Sequence, residues 1–334
     1  MRPSPEAGSP AVPFVTVIIP TLNRKEWLSE IVASLRAQDY PHDRFEVLVV
    51  DNGSRDGTWE WLIEACQAPG MQLRRFRNET RFKVPSGSRN VGLQHARGTI
   101  VAFTDSDCIA APDWIRRGVA AFREGVGIVA GRTLPPPGDP VGPLSKVKIV
   151  DSEGFFDTCN LFYTREAIRQ AGGFDVDILE KSRNKTMYGE DTELGIRVKA
   201  MGYGSVFAED AIVHHHVRGQ SLRQWFLEPL NIYFTPYLIK RHPQIRGNMM
   251  FLRYFLTPMT ALFDLLLAGV VLGVTVNPWF GILAAPFAIA KWSEAGSRLN
   301  PVWSLARVAG GSLRALFIFG LLVHASIRFR RLVL

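Results

Sequence analysis

Cysteine is scarce in this chain: Cys66, Cys108 and Cys159 are the only three in 334 residues. Their odd number and wide spacing exclude a disulfide framework and give no cysteine zinc motif, which fits a reducing compartment. The N-terminal MRPSPEAGSP lacks an apolar run between a basic start and a cleavage site. Residues 1–13 are therefore expected to be a disordered lead-in, not a signal peptide, leaving the first folded part in the cytoplasm. A basic block that would grip nucleic acid is also missing. The net charge of +8 comes from Lys and Arg scattered along the chain and recurring beside apolar stretches near its end. That distribution suits an anionic membrane surface, and no nucleic-acid partner is expected.

What is present is enough apolar residue, 47%, to bury one large domain and a smaller appendage. VTVIIP, from Val15 to Pro20, is a β-branched run of the kind buried on both faces of a parallel sheet. A helical pattern follows, opened by Asn23, with Trp27, Ile31 and Leu35 on one face and Pro41 at its far boundary. FEVLVVD then ends in Asp51 and the turn-rich NGSRDGT, after which Trp59, Leu62 and Ile63 begin another helix. SRNVGLQHARG leading into TIVAFTDSD repeats the alternation, which predicts an α/β fold with a doubly wound, mostly parallel sheet.

Ligands of such sheets bind beyond the carboxyl ends of the strands. Asp51, Asp105 and Asp107 all fall there. A lone strand-end Asp is ordinarily a turn former. Two carboxylates one residue apart, as in TDSD, hold a hard cation from one side and leave its other positions to phosphate oxygens and water. Magnesium or manganese suits such ligands.

VTVIIPTLNR, VVDNGSRDGT, SRNVGLQHARGTIVAFTDSD, the Asn160 region, GGFD and GEDTELGIRVKAMGY occur in the order seen in glycosyltransferase family 2, and the chain resembles that family from about Val15 to His216. The resemblance implies the GT-A fold and an inverting transfer of a sugar from a nucleotide-sugar, a UDP- or GDP-sugar, with Mn2+ or Mg2+. It places Pro20, Thr21, Asn23 and Asp51 on the nucleoside and Arg89 and Asn90 near the sugar-nucleotide. Lys83 and Arg81 are candidate diphosphate contacts, with solvated loop charges as the equal alternative. Asp107 maps to the direct metal ligand, and Asp105 to a contact with ribose, sugar or the cation. Asp191 of GED maps to the catalytic base beside Glu190, although acidic residues in a helix's first turn also simply complement its dipole. In AIVHHHV, His215 aligns with a metal-ligating position and His214 competes with it; alternation puts His214 and His216 on the face opposite His215.

The processive members' Q-x-x-R-W string is nearly matched by QSLRQW from Gln220, with one extra residue, which argues against polymer synthesis. Over 222–250, Trp225, Phe226, Leu230, Tyr233, Phe234, Tyr237 and Leu238 lie among Arg223, Lys240 and Arg241, a composition suited to a membrane interface. The domain reading is a GT-A catalytic domain over 14–221, interfacial amphipathic helices over 222–250 and membrane helices over 251–334. Within the last, Thr257 to Val276, interrupted only by Asp264, has spanning length, and the run through Ala290 completes a hairpin over about 257–290. The stretch over about 312–330 holds the short run Ala315 to Ile327 and ends in RFRR. It is expected to lie in the interface or re-enter, because Arg and Lys on both flanks favour the cytoplasm.

These features predict an enzyme of cell-envelope biogenesis at the inner or plasma membrane, its catalytic domain cytoplasmic. The acceptor expected is a polyprenyl phosphate, a lipid-linked oligosaccharide or an envelope glycan. A GT-A-like nucleotidyltransferase would share the sheet and the metal carboxylates but release pyrophosphate. A non-catalytic scaffold would bind the nucleotide sugar without turnover. Lys181, Arg183 and Lys185 before GED mark either a lid over an anionic ligand or a solvated loop.

Overall fold

A computed structural model describes residues 12–142, 144–176, 189–295 and 301–334. Most of the expected lead-in, and Lys181, Arg183 and Lys185, lie outside the described residues. The chain divides into two compact units, Met1–Arg183 with Glu190–Gln220, and Asn184–Gly189 with Ser221–Leu334.

The first unit grows from β1 (Val15–Thr21) and β2 (Phe45–Asp51), in both of which every residue is buried. They pair in parallel, with Thr21 opposite Asp51, and β4 (Ile100–Thr104) lies parallel on the other side of β1. Continuous β-branched runs of this kind are what a sheet covered on both faces needs. Between them, α1 (Lys25–Arg36) buries Leu28, Ile31, Val32 and Leu35, α2 spans Thr58–Ala65, and β3 (Gln72–Arg77) pairs with β2 at the sheet edge. Glu46 is fully buried in β2, and its charge is met by the Thr16 hydroxyl at 2.9 Å and Arg74 at 2.7 Å. A buried carboxylate requires such partners. Helix α3 (Pro85–His95) approaches β1 through Gly92, where a Cβ would meet Ile18 at 2.5 Å.

Beyond β4 come β5 (Cys108–Ala110), α4 (Trp114–Ala120), β6 (Val126–Leu134), β7 (Ser145–Lys146), β8 (Asn160–Thr164) and α5 (Arg165–Gln170). Then follow α6 (Glu190–Ala200), β9 (Gly204–His215) and β10 (Arg218–Gly219). The main sheet runs β3-β2-β1-β4-β8-β6-β9-β5. Its β1 to β4 half is parallel as expected, but β8 enters antiparallel between β4 and β6, and β5 lies antiparallel to β9. Asn160 locks this half: its amide donates to the carbonyls of Arg132 and Ala211, each at 2.8 Å, and accepts from the Trp114 indole. Gly131 makes room for it, since a Cβ there would fall 2.4 Å from Asn160 Oδ1. A separate ribbon, β7 with β10, ties the stretch carrying Lys148 to the one carrying Arg218.

The second unit is helical: α7 (Leu222–Leu227), α8 (Thr235–Arg241), α9 (Ile245–Met249), α10 (Pro258–Thr275), α11 (Ala285–Ala295) and α12 (Pro301–Phe329). Thr257 caps α10 reciprocally with Thr260. Of the aromatics expected at a membrane interface, Tyr233 and Phe234 are buried, Tyr233 and Tyr237 pack edge-on against Phe329, and Phe226 stacks on Phe317. They build the core of the unit because α12 supplies an apolar partner that local composition does not reveal. Among the described residues, two helices are long and apolar enough to cross a membrane, Pro258–Thr275 and Val308–Phe329. The second contains the run read as interfacial. It is longer than that run because Gly310, Gly311 and Arg314 are accommodated within the helix, with Arg314 paired to Glu228 at 2.9 Å. The expected return arm is a 3-10 turn, Pro278–Ala284, leading into the short α11, whose Phe287 packs edge-on against Phe263 of α10.

Candidate active site at the strand ends

The loop after β1 is fastened to the loop after β2. Asn23 takes positive φ, a conformation its short amide tolerates, and its backbone N–H donates to Ser54 Oγ at 2.8 Å. Its Oδ1 accepts from the Arg55 amide at 2.8 Å. The Ser54 amide and hydroxyl both donate to Asp51, which is 1% exposed. Pro20 and Thr21 are buried beside it, and the Thr21 hydroxyl has no hydrogen-bond partner among the described residues. Lys83 donates to the Asn78 carbonyl, and the Arg81 guanidinium lies over the Phe82 ring.

Helix α3 aims Arg89 at the end of β4. Its guanidinium donates to Asp105 Oδ1 at 2.8 Å and stands 3.8 Å from Glu190 Oε1, so carboxylates from β4 and α6 meet on one side chain that is 4% exposed. Asn90 is turned away to a different task. Its amide clamps Phe174, donating to the carbonyl at 2.8 Å and accepting from the N–H at 2.9 Å. Burial works against the Asp105 charge, yet Arg89 and Lys148 outweigh it and hold the carboxyl below its ordinary value.

Asp107 is fully buried. Arg24 at 3.0 Å and Arg218 both contact its Oδ2, while Oδ1 has no partner among the described residues. His215 Nε2 lies 3.4 Å from Oδ2. The other ring nitrogen, Nδ1, is 3.1 Å from the His216 carbonyl, a contact that needs a proton on Nδ1 and so leaves the Nε2 lone pair facing the carboxylate. Burial lowers the imidazole's pKa. Of the two candidate histidines, His215 faces Asp107; His214 turns to the Pro135 carbonyl at 3.2 Å. His216 stacks on Trp27 and bonds Glu30 at 3.0 Å. An orphaned buried carboxylate oxygen beside an imidazole lone pair is a donor set that fits a divalent cation.

On the other side of Arg89, Asp191 opens α6 with Oδ1 accepting from the Thr192 amide at 2.8 Å. Burial, then the neighbouring charges of Glu190 and Asp157, push its carboxyl up to about 7. Burial also raises Glu190. Lys148, ion-paired with Asp157 at 2.8 Å, bears electrostatically on Asp105, Glu190 and Asp191 alike. Sequence reasoning missed Lys148, Arg24 and Arg218. Arg24 lies inside the TLNR string and Arg218 directly follows the three histidines, so adjacency was a usable signal for both; nothing local marks Lys148.

Residues 16–170 match the family model of glycosyl transferase family 2. The chain is 31% identical over 227 residues to Glycosyltransferase AglE of Haloferax volcanii, a match spanning 64% of this chain and 71% of that protein. It is 25% identical over 214 residues to the GalNAc(5)-diNAcBac-PP-undecaprenol beta-1,3-glucosyltransferase of Campylobacter jejuni, covering 60% and 67%. Two further relatives, of Sinorhizobium fredii and Staphylococcus aureus, are matched over only 24% and 16% of their own length. Among solved structures, the mannosyltransferase PcManGT of Pyrobaculum calidifontis, in complex with GDP-Man and Mn2+, superposes with a TM-score of 0.56 at 22% identity, covering 95% of this chain and 87% of that one.

Proposed function

The chain belongs to glycosyl transferase family 2, and from that premise we propose that it is a metal-dependent, inverting enzyme that moves a sugar from a UDP- or GDP-sugar to a membrane-associated acceptor. The observation that supports the reading is the bridge made by Arg89 between Asp105 and Glu190, which brings the carboxylate after β4 and the first acid of α6 onto one side chain.

In this reading Pro20, Thr21, Asn23 and Asp51 hold the nucleoside. Asp51 offers a charged acceptor to a base N–H, roughly twice as strong as a neutral one. Asp107 and His215 hold the cation, Mn2+ or Mg2+, with Asp105 beside it; when bound, it offsets the negative charge that develops on the departing nucleoside diphosphate. Arg89 fixes Asp105 against the donor sugar. Asp191 takes the proton of the acceptor hydroxyl on the opposite face of the sugar, an in-line arrangement that inverts the anomeric carbon. Glu190 orients the acceptor, and Lys148 keeps Asp191 ionised against the pull of its acidic neighbours.

A lipid-linked acceptor, a polyprenyl phosphate or polyprenyl-linked oligosaccharide, is supported by the two apolar helices and by the undecaprenol-linked acceptor in the Campylobacter relative's name. An envelope glycan is the further member of this class. The catalytic domain then corresponds to the first compact unit, and the second holds it at the cytoplasmic face of the membrane. The test is a panel of nucleotide sugars with metal added or chelated, scoring nucleoside diphosphate and labelled lipid. Release of nucleoside diphosphate that stops on chelation is expected; pyrophosphate as product, or unchanged turnover by Asp191→Asn, would overturn the reading.

A further inference from the structure

The scarcity of cysteine rules out a cysteine zinc motif in sequence, but strand pairing creates a different arrangement. Cys108 and His215 are directly opposite each other in the antiparallel β5 and β9 pair, so their side chains leave the same face of the sheet. Asp107 precedes Cys108 and turns its carboxylate to the same place. The Cys108 sulfur, a ring nitrogen of His215 and a carboxylate oxygen of Asp107 all lie within 4.8 Å of one another. Ligands around one zinc ion sit about 2.3 Å (sulfur) and about 2.0 to 2.2 Å (nitrogen, oxygen) from it, about 3.5 Å from one another in a tetrahedral site, so the three atoms draw together by up to about an ångström on binding. All three residues are buried, and Asp107 Oδ1 has no hydrogen-bond partner among the described residues. Thr133 lies against Cys159, not Cys108.

We propose that Cys108 adds a soft face to the cation site, so that the same centre takes a thiophilic divalent ion, Zn2+, Co2+ or Cd2+, through Asp107, Cys108 and His215. Sulfur ligands select such ions, whereas the hard Mn2+ and Mg2+ use the oxygen side. Binding replaces the S–H bond by a metal–sulfur bond, and the displaced proton passes to solvent; no oxidant or reductant takes part. The site thereby holds two classes of metal in competition, and a thiophilic ion blocks entry of the hard one. This rests on the cation site proposed above.

The test uses the full chain in detergent micelles, titrated with Co2+ alone and followed by absorption. The wild type is expected to develop a near-ultraviolet sulfur-to-cobalt charge-transfer band that Zn2+ abolishes. Cys108→Ser should lose the band and weaken Zn2+ binding by about tenfold or more, at least what losing an outer-shell partner costs, while Cys159→Ser and Cys66→Ser keep it. Circular dichroism confirms that each variant is folded, and Cys108→Ala serves where the serine variant is not. Cobalt binding without the band, or a band that survives in both Cys108 variants, overturns this inference and leaves the Asp107 and His215 reading standing. No cobalt binding at all overturns both. Donor turnover plays no part in the readout, so its failure is separable.

Discussion

The ends of β2 and β4 present the same chemical group in opposite conditions. Asp51 and Asp107 are both strand-end carboxylates, 1% and 0% exposed. At the β2 end, the turn that Asp51 itself starts returns two donors from Ser54, so the carboxylate is satisfied within four residues of chain. At the β4 end no local turn does this. Asp107 draws Arg24 from the loop before α1, and His215 and Arg218 from the far side of the sheet, and still leaves one oxygen without a partner among the described residues. A buried polar atom without a partner costs about 1–3 kcal/mol, more if charged. Contacts within the fold therefore account for Asp51 in full, whereas Asp107 keeps Oδ1 without a partner among the described residues, and that is the atom the proposed cation would take up.

The comparison breaks if losses on the β4 side do not fall on the chemical step. The largest effect is expected at the proposed proton acceptor. Asp191→Asn should lower kcat by about 10²–10⁴, the usual contribution of a positioned base. The wild-type rate should rise with pH through about 7, because Asp191 must be ionised to accept a proton and burial beside Glu190 and Asp157 delays that ionisation. Stability moves the other way. A carboxyl raised from 3.8 to about 7 by folding contributes stability in full below its unfolded value, and that contribution is lost as pH climbs through about 7. Thermal melts between pH 4 and 8 should show the decline in the wild type and a flatter profile in Asp191→Asn.

Next in size is the direct contrast. Asp107→Asn should cost about 10³-fold in kcat and abolish the response to added metal, since lost transition-state charge stabilisation amounts to several kcal/mol. Asp51→Asn should act mainly on KM for the nucleotide sugar, by about tenfold, roughly the worth of one charge-assisted hydrogen bond. Equal kcat losses in the two variants would show that the two strand ends do the same work.

The difference also explains what could be read in advance. The runs at β1, β2 and β4 announce themselves because a strand buried on both faces must be apolar throughout. Strand β3, QLRRFR, was not read as a strand: at the sheet edge its Arg74, Arg75 and Arg77 lie over neighbouring rings, so its sequence is polar. The antiparallel insertion of β8 was equally hidden, since Asn160 and Gly131 specify it only through contacts between distant segments. The residues of the proposed site that stand at or beside the end of an element, Asp51, Asp105, Asp107, Asp191 and His215, can be picked out by position. Arg24 and Arg218 were signalled only by adjacency to motif strings and Lys148 by nothing local, because the role of each depends on which carboxylate the fold brings to it.

Lys148 gives an intermediate effect. Its ammonium opposes the rise at Asp191 from one side of the centre, as Arg89 does from another. Lys148→Met should move the alkaline rise of kcat/KM to higher pH by about one unit, a tenfold loss below the midpoint that is recovered above it. A pH-independent loss would instead mean that Lys148 contacts substrate.

The smallest effect tests the β2 end alone. Ser54 is the joint between the two loops: its hydroxyl donates to Asp51 Oδ1 and accepts from the Asn23 amide at 2.8 Å, and Asn23 in turn accepts from Arg55. Ser54→Ala removes both hydroxyl bonds but leaves the Ser54 amide on Asp51, so the carboxylate keeps one donor and the turn keeps its shape. The expected cost is about 1 kcal/mol of unfolding free energy, the net value of a typical hydrogen bond. Denaturant titration reads it, and the KM for the nucleotide sugar should rise a few-fold as Asp51 and Asn23 loosen. Should Ser54→Ala instead depress kcat as far as Asp107→Asn, then Asp51 would be held for chemistry and not merely for the nucleoside. The contrast between the two strand ends would be lost.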